Sequence, residues 1–191
     1  MGYHHGDLRS ALIAAGIELI AEKGFAGLSV AEAARRTGVS AAAPYRHFAN
    51  REAFLIAIAT VAGEKMAGQL EEALAAEPDP LSRLEAIAET YVRFMIAHKV
   101  GFDLIFATEL RALQDADLRA AGRRVIDLMM APGVEVSPDM TRALELNEEI
   151  WTTAHGYAAL SLTGFWVDQE YTVEAARRTA RRLGRAAESL R

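Results

Sequence analysis

The chain has 191 residues, a mass of 20.8 kDa, 51% hydrophobic and 25% charged residues and a formal net charge of −5. That balance is globular and excludes a mainly disordered chain. The absence of cysteine excludes disulfide frameworks, thiolate metal sites and cysteine nucleophiles.

Fourteen glycines and five prolines are few, and alanine is abundant, so an all-α fold is expected. The pattern predicts about nine helices and no strands. The first runs from Asp7, its N-cap, to Lys23, with Gly24 beyond its end. Leu8, Leu12, Leu19 and Ile20 share a face that Ile13, Ala14 and Ile17 widen. The second opens at Ser29 with Glu32 three residues on, a capping box, and reaches Arg36. The third spans Ser40 to His47. Asn50 caps a long fourth helix to Ala76, where Pro78 and Pro80 follow.

Asp79 and Pro80 read as N-cap and first residue of a fifth helix to His98. A short sixth covers Phe102 to Leu110. A seventh covers Ala116 to Met130 and stops at Pro132-Gly133. The eighth covers Pro138 to Phe165, and the ninth Val173 to Leu190 behind a Thr172 cap. Ile150 to Val167 is the longest uncharged run, yet Thr152, Thr153, His155, Ser161 and Thr163 interrupt it. It is therefore expected as a buried helix and not as a membrane span. Asp7 and Arg9 in the first ten residues argue against a secretory signal, so a cytoplasmic protein is expected.

Charge is uneven. Residues 1–51 hold six Lys and Arg against four Asp and Glu, a balance of +2, while residues 52–191 hold fifteen against twenty-two, −7. A small basic head on an acidic body suits a nucleic-acid reader joined to another domain. Inside that head, two short helices flank Thr37-Gly38-Val39. A short Gly-containing turn between such helices is helix-turn-helix geometry, and it equally fits an αα-corner in any helical protein. Ala33 and Ala34 are small where the helices must approach, and Val39 and Phe48 can fill the core beneath. Ser40, Tyr45, His47 and Arg51 are side chains suited to phosphates.

Residues 4–58 resemble the DNA-binding domain of TetR-family repressors. The matching segments are His4-His5-Gly6-Asp7-Leu8, Ala21-Glu22-Lys23-Gly24-Phe25 and Leu28-Ser29-Val30-Ala31-Glu32-Ala33-Ala34. They continue with Thr37-Gly38-Val39-Ser40 and Tyr45-Arg46-His47-Phe48-Ala49-Asn50-Arg51-Glu52. Trp151 and His155-Gly156 resemble the Trp-His-Gly signature of one C-terminal subclass. The resemblance implies a homodimeric regulator that binds a pseudo-palindromic duplex, with domains at 1–51 and 52–191. It makes Ser40–His47 the recognition helix, with Ala41, Ala42, Ala43 and Arg46 toward the bases. Tyr45, His47 and Arg51 would then meet phosphates, with Ser29 and Ala31 near the backbone. Three alanines have no polar group, so thymine methyls and DNA shape must carry much of the readout. Pro44 keeps this helix short.

Other features are weighed likewise. His4-His5 has no third ligand beside it, so a solvated arm is expected in place of a metal site. No cofactor and no catalytic spacing is expected. Phe94, Met95, Phe106, Trp151 and His155 are the candidate lining for an unidentified small apolar or amphipathic effector, with core packing as the alternative. Val173, Ala176, Ala180, Leu183 and Ala187 repeat three-four along the ninth helix. With Tyr157 and Leu160 of the eighth they form the expected dimer seam. Arg177, Arg178, Arg181, Arg182 and Arg185 flank it and are expected to meet an acidic helix or solvent. The function expected is a repressor released by a ligand. The rivals are a DNA-binding regulator controlled by a protein partner, and an α-helical enzyme sharing the corner.

Overall fold

The computed structural model describes residues 5–24, 27–99, 102–105, 107, 110 and 112–190; His4 and Phe106 lie outside them. Seven helices of about two turns or more occur among these residues. They are α1 (His5–Lys23), α2 (Val30–Arg36), α3 (Arg51–Ala75), α4 (Pro80–His98), α5 (Ala116–Val136), α6 (Met140–Leu162) and α7 (Gln169–Glu188). No strand occurs among the described residues. The expected count of nine is thus corrected to seven. Two short helices are present only as turns, Pro44–Arg46 in 3₁₀ form and Phe102–Ile105.

Several helix starts follow their local caps. The Asn50 carboxamide oxygen accepts Ala53 N–H at 2.8 Å, and Asp79 accepts Ser82 N–H at 3.0 Å. Other ends depart from expectation. α1 starts at His5, two residues before the expected Asp7 cap. α7 starts four residues early, because Asp168 accepts Tyr171 N–H at 3.1 Å and is the cap. Thr172 is instead buried, its hydroxyl donating to Asp168 O at 3.0 Å. α5 does not stop at Pro132-Gly133 but runs through it to Val136. An interior proline costs about 3 kcal/mol, and packing offsets it here. Val125, Met129 and Val136 are buried, and Gly133 lies against Asn147, whose Nδ2 fills the space that a Cβ would need.

The chain packs as two compact units, residues 1–63 with 100–122, and residues 64–99 with 123–191. In the first, Leu12, Ile13, Leu19 and Ile20 of α1 are buried with Ala33 and Ala34 of α2 and with Phe54 and Ile58 of α3. α3 is long and apolar enough by composition to cross a membrane, yet 56% of its most apolar stretch is buried inside the protein. In the second unit α4, α6 and α7 pack against one another. Gly184 of α7 sits so close to α4 that a Cβ would come within 2.8 Å of Leu81 and Leu84.

That packing gives the three-four repeat of the expected dimer seam a role inside the protomer. Val173, Ala176, Ala180 and Ala187 are buried inside the protomer. Their small side chains let α7 approach α4 and α6, so the three-four repeat serves the chain's own core. Arg177 and Arg181 flank it and pair with the buried Glu85 of α4, and Arg177 also with Glu89. Arg93 of α4 reaches Glu170 of α7 at 2.8 Å.

Candidate nucleic-acid interface

The site begins with α2. Ser29 Oγ accepts Glu32 N–H at 3.3 Å, which closes one half of the capping box. The other half is missing, because the Glu32 carboxylate accepts from Arg35 at 2.7 and 2.9 Å. That bidentate contact holds Glu32 down to about 2, with Arg36 helping. Arg36 in turn donates to Glu22 of α1 at 2.5 and 2.9 Å, so an ion pair clamps α1 to α2. The Arg36 hydrogen bond holds Glu22 below its ordinary value too.

The turn after α2 closes as a Schellman motif. Val39 N–H donates to Ala34 O at 3.0 Å and Gly38 N–H to Arg35 O at 3.2 Å. Gly38 takes φ +72, which only glycine adopts without strain. Ala33 and Ala34 are fully buried beneath it.

The next segment corrects the expected recognition helix over Ser40–His47. An α-helix capped at Ser40 would need residue 44 to donate to Ser40 O, and Pro44 has no N–H. Ser40 O accepts Ala43 N–H at 3.0 Å instead, and Ala43 O accepts Arg46 N–H at 3.2 Å. Pro44 O takes both His47 N–H and Phe48 N–H at 2.9 Å. Pro44 and Phe48 are buried, with the Phe48 ring 4.8 Å from Phe54. A short chain of tight turns, nailed down by two buried rings, is the result.

What remains outside is specific. Ser29, Ala31, Ser40, Ala41, Ala42, Arg46 and Tyr45 are exposed, and Ala43 and His47 are half-buried. Arg51 is exposed, but its Nε donates to Leu28 O at 3.1 Å. It therefore ties the start of α3 to the segment leading into α2. Sequence reasoning missed Arg9. Its guanidinium stands 5.6 Å over the Phe48 ring, whose neighbour His47 is 6.3 Å away ring to ring. The available signal was an exposed arginine in the first helix of a basic head.

Residues 12–58 match the family described as bacterial regulatory proteins, tetR family, and residues 84–187 match the tetracyclin repressor-like C-terminal domain. The chain belongs to the TetR family of transcriptional regulators. Solved structures agree. A protein of unknown function from a Rhodococcus species is 30% identical, covers 95% of this chain and 97% of its own, and superposes with a TM-score of 0.78. A TetR family transcription regulator from Marinobacter aquaeolei is 18% identical over 93% and 95% of the two chains, with a TM-score of 0.73. The fatty acid degradation regulator FadR from Bacillus halodurans is 16% identical over 93% and 96%, with a TM-score of 0.72. No curated protein matches the chain. TetR-family regulators bind DNA operators and typically act as dimers.

The second unit of this TetR-family chain holds Phe94, Met95, Trp151 and His155, four of the five residues expected to meet an effector. Phe94 and Met95 are buried at 2% and 4% exposure. Trp151 and His155 are half-buried. His155 shares a 2.7 Å hydrogen bond through Nδ1 with the hydroxyl of buried Tyr91. Tyr91 is not among the residues that the sequence singles out; 64 residues separate the pair, so no local pattern reveals it. An open groove of about 450 Å³ lies between α3 and α4, from Gln69 and Ala73 to Phe94 and His98. Among the described residues, Phe94 is the one expected effector residue that lines it. Burial, and then the Lys65 charge, hold His98 below its ordinary value. No group of three His, Asp or Glu that could hold a metal occurs among the described residues.

Proposed function

We propose that the chain is a cytoplasmic, homodimeric repressor without catalytic activity. Residues 1–51 bind a pseudo-palindromic operator, and residues 52–191 dimerise and take a small apolar or amphipathic effector. The observation that carries this reading is the solvent-facing Ser40–Arg46 segment behind the Gly38 turn. Its exposed side chains make no hydrogen bond or ion pair among the described residues, while Pro44 within it and Phe48 just beyond it are buried and anchor it.

Arg46 is the side chain for a guanine edge, and the alanine methyls suit thymine methyls. Tyr45, His47, Arg51 and the added Arg9 would meet phosphates, with Ser29 and Ala31 near the DNA backbone. On the effector side, the Tyr91 hydroxyl and His155 Nδ1 share a hydrogen bond; in the tautomer in which Tyr91 donates, Nε2 carries the proton and can offer it to a polar group of the ligand. α3 runs unbroken from Arg51 to Ala75, and an effector with a different affinity for two settings of that helix would shift their populations. A coupling of about 1–3 kcal/mol loosens operator binding roughly 5–150-fold.

Selection on random duplexes tests the DNA half. A palindrome should emerge, and Arg46→Ala should relax one position per half-site at a cost of about 1–3 kcal/mol. Selection of no sequence would return the enzyme reading. A thermal-shift screen, with Trp151→Ala as control, tests the effector half: the variant should lose the response and keep ligand-free operator binding. The near-complete burial of Phe94 and Met95 favours a second reading, control by a protein partner. That reading prevails if no small molecule moves the melting temperature.

A further inference from the structure

The open groove of about 450 Å³ between α3 and α4 is lined by those two helices alone, and its lining lies wholly within the second unit. It is therefore separate from Trp151 and His155 on α6. Its volume is in the range of a small-molecule site. Phe94, at 2% exposure, forms the floor, and the small side chains of Ala73 and Ala97 leave the space beside it open.

The rim is polar and unpartnered. Gln69, Thr90 and His98 are half-buried and Glu72 is exposed. None of the four makes a hydrogen bond or ion pair among the described residues. His98 meets only the Phe94 ring, edge-on at 4.7 Å. Half-buried polar groups lose water without gaining a partner, and a ligand that supplies one recovers that loss.

Charge chooses the ligand. Arg93 lines the groove, but its Nε donates to Glu89 and its two terminal nitrogens to Glu170, each at 2.8 Å. His98 is held below its ordinary value, so its ring is mainly neutral above about pH 7. Lys65, whose charge reaches His98, does not line the groove. Glu72 stands seven residues further along α3, about 10 Å away. An anion thus finds no unclaimed cation among the lining residues, whereas a cation finds Glu72.

We infer that this groove is a ligand site in its own right, for an apolar amine. The hydrocarbon body lies over Phe94, and the ammonium group pairs with the Glu72 carboxylate. Thr90 and Gln69 offer acceptors for its remaining protons. The site is independent of the effector proposed above and needs no ligand at His155.

NMR titration of the full-length chain tests it with three probes that share one body, phenylbutylamine, phenylbutanol and phenylbutyrate. The amine is an ammonium at neutral pH. It should bind with a Kd on the order of 1 mM, about fivefold tighter than the alcohol, with the butyrate weakest. Glu72→Gln should bring the amine down to the alcohol and leave the alcohol unchanged. Ala97→Trp should fill the groove and abolish binding of all three. Amine binding that survives Ala97→Trp is general attraction to a chain of net charge −5 and overturns the inference. Preference for the butyrate, an amine preference that persists in Glu72→Gln, or no binding of any probe up to about 10 mM overturns it too. Each of these leaves the effector reading standing, because Trp151→Ala tests that one. Circular dichroism and melting check both variants. Glu72→Gln is an exposed substitution that should keep the fold, and Ala97→Leu replaces Ala97→Trp if the larger side chain unfolds the chain.

Discussion

Tyr91 and His155 join two helices of the second unit through one hydrogen bond between side chains. Its net worth is about 1 kcal/mol, so Tyr91→Phe should lower stability in urea by that much. A fall above about 3 kcal/mol would mean that the hydroxyl holds more than His155. His98 offers a titration in the same unit. Its folded pKa lies below the ordinary 6.5 through burial and the Lys65 charge. The unfolded chain thus binds the proton more tightly, and stability present above about pH 6.5 is lost as pH falls through that value. Melting temperatures between about pH 7.5 and 5.5 should fall for wild type and fall less for His98→Gln.

At the scale of elements, the starts of α2, α3 and α4 are legible in the chain because a cap is a local interaction. Ser29, Asn50 and Asp79 each bond a backbone N–H three residues on. The start of α7 misleads because Asp168 and Thr172 are both good caps, and the apolar repeat begins only at Val173. The three-four repeat itself is visible, but a repeat does not say whether its partner lies in the same chain. Pro44 is equally plain in the sequence; the one hydrogen bond that it deletes decides between an α-helix and turns. α5 passes Pro132 for a tertiary reason, the seat of Gly133 against Asn147. Gly133→Ala should therefore cost about 1–3 kcal/mol by overpacking, despite the better helix propensity of alanine. A variant as stable as wild type would show that Asn147 can move aside.

The whole molecule is acidic, at −5, so its net charge opposes DNA and binding must depend on a few local cations. Removing one cation from a phosphate lowers the magnitude of the slope of log K against log salt by about 0.9. Arg51 carries two assignments, the hydrogen bond to Leu28 O and the proposed tie to phosphate. Arg51→Ala in a dimer should lower that slope by about 2 if the arginine meets phosphate in both half-sites. Weaker binding with an unchanged slope would make it a purely structural tie.

The alanines of the Ser40–Arg46 segment have one more consequence. Ala41 and Ala42 face solvent, while the shape of the segment is set by Pro44 and Phe48. On the proposed reading, stability and sequence preference therefore sit on different side chains. Polar residues can be written at 41 and 42 with little effect on folding, since exposed substitutions usually change stability by less than about 0.5 kcal/mol. Such a reader is evolvable: it can acquire a new operator by point mutation without passing through an unfolded intermediate in its history.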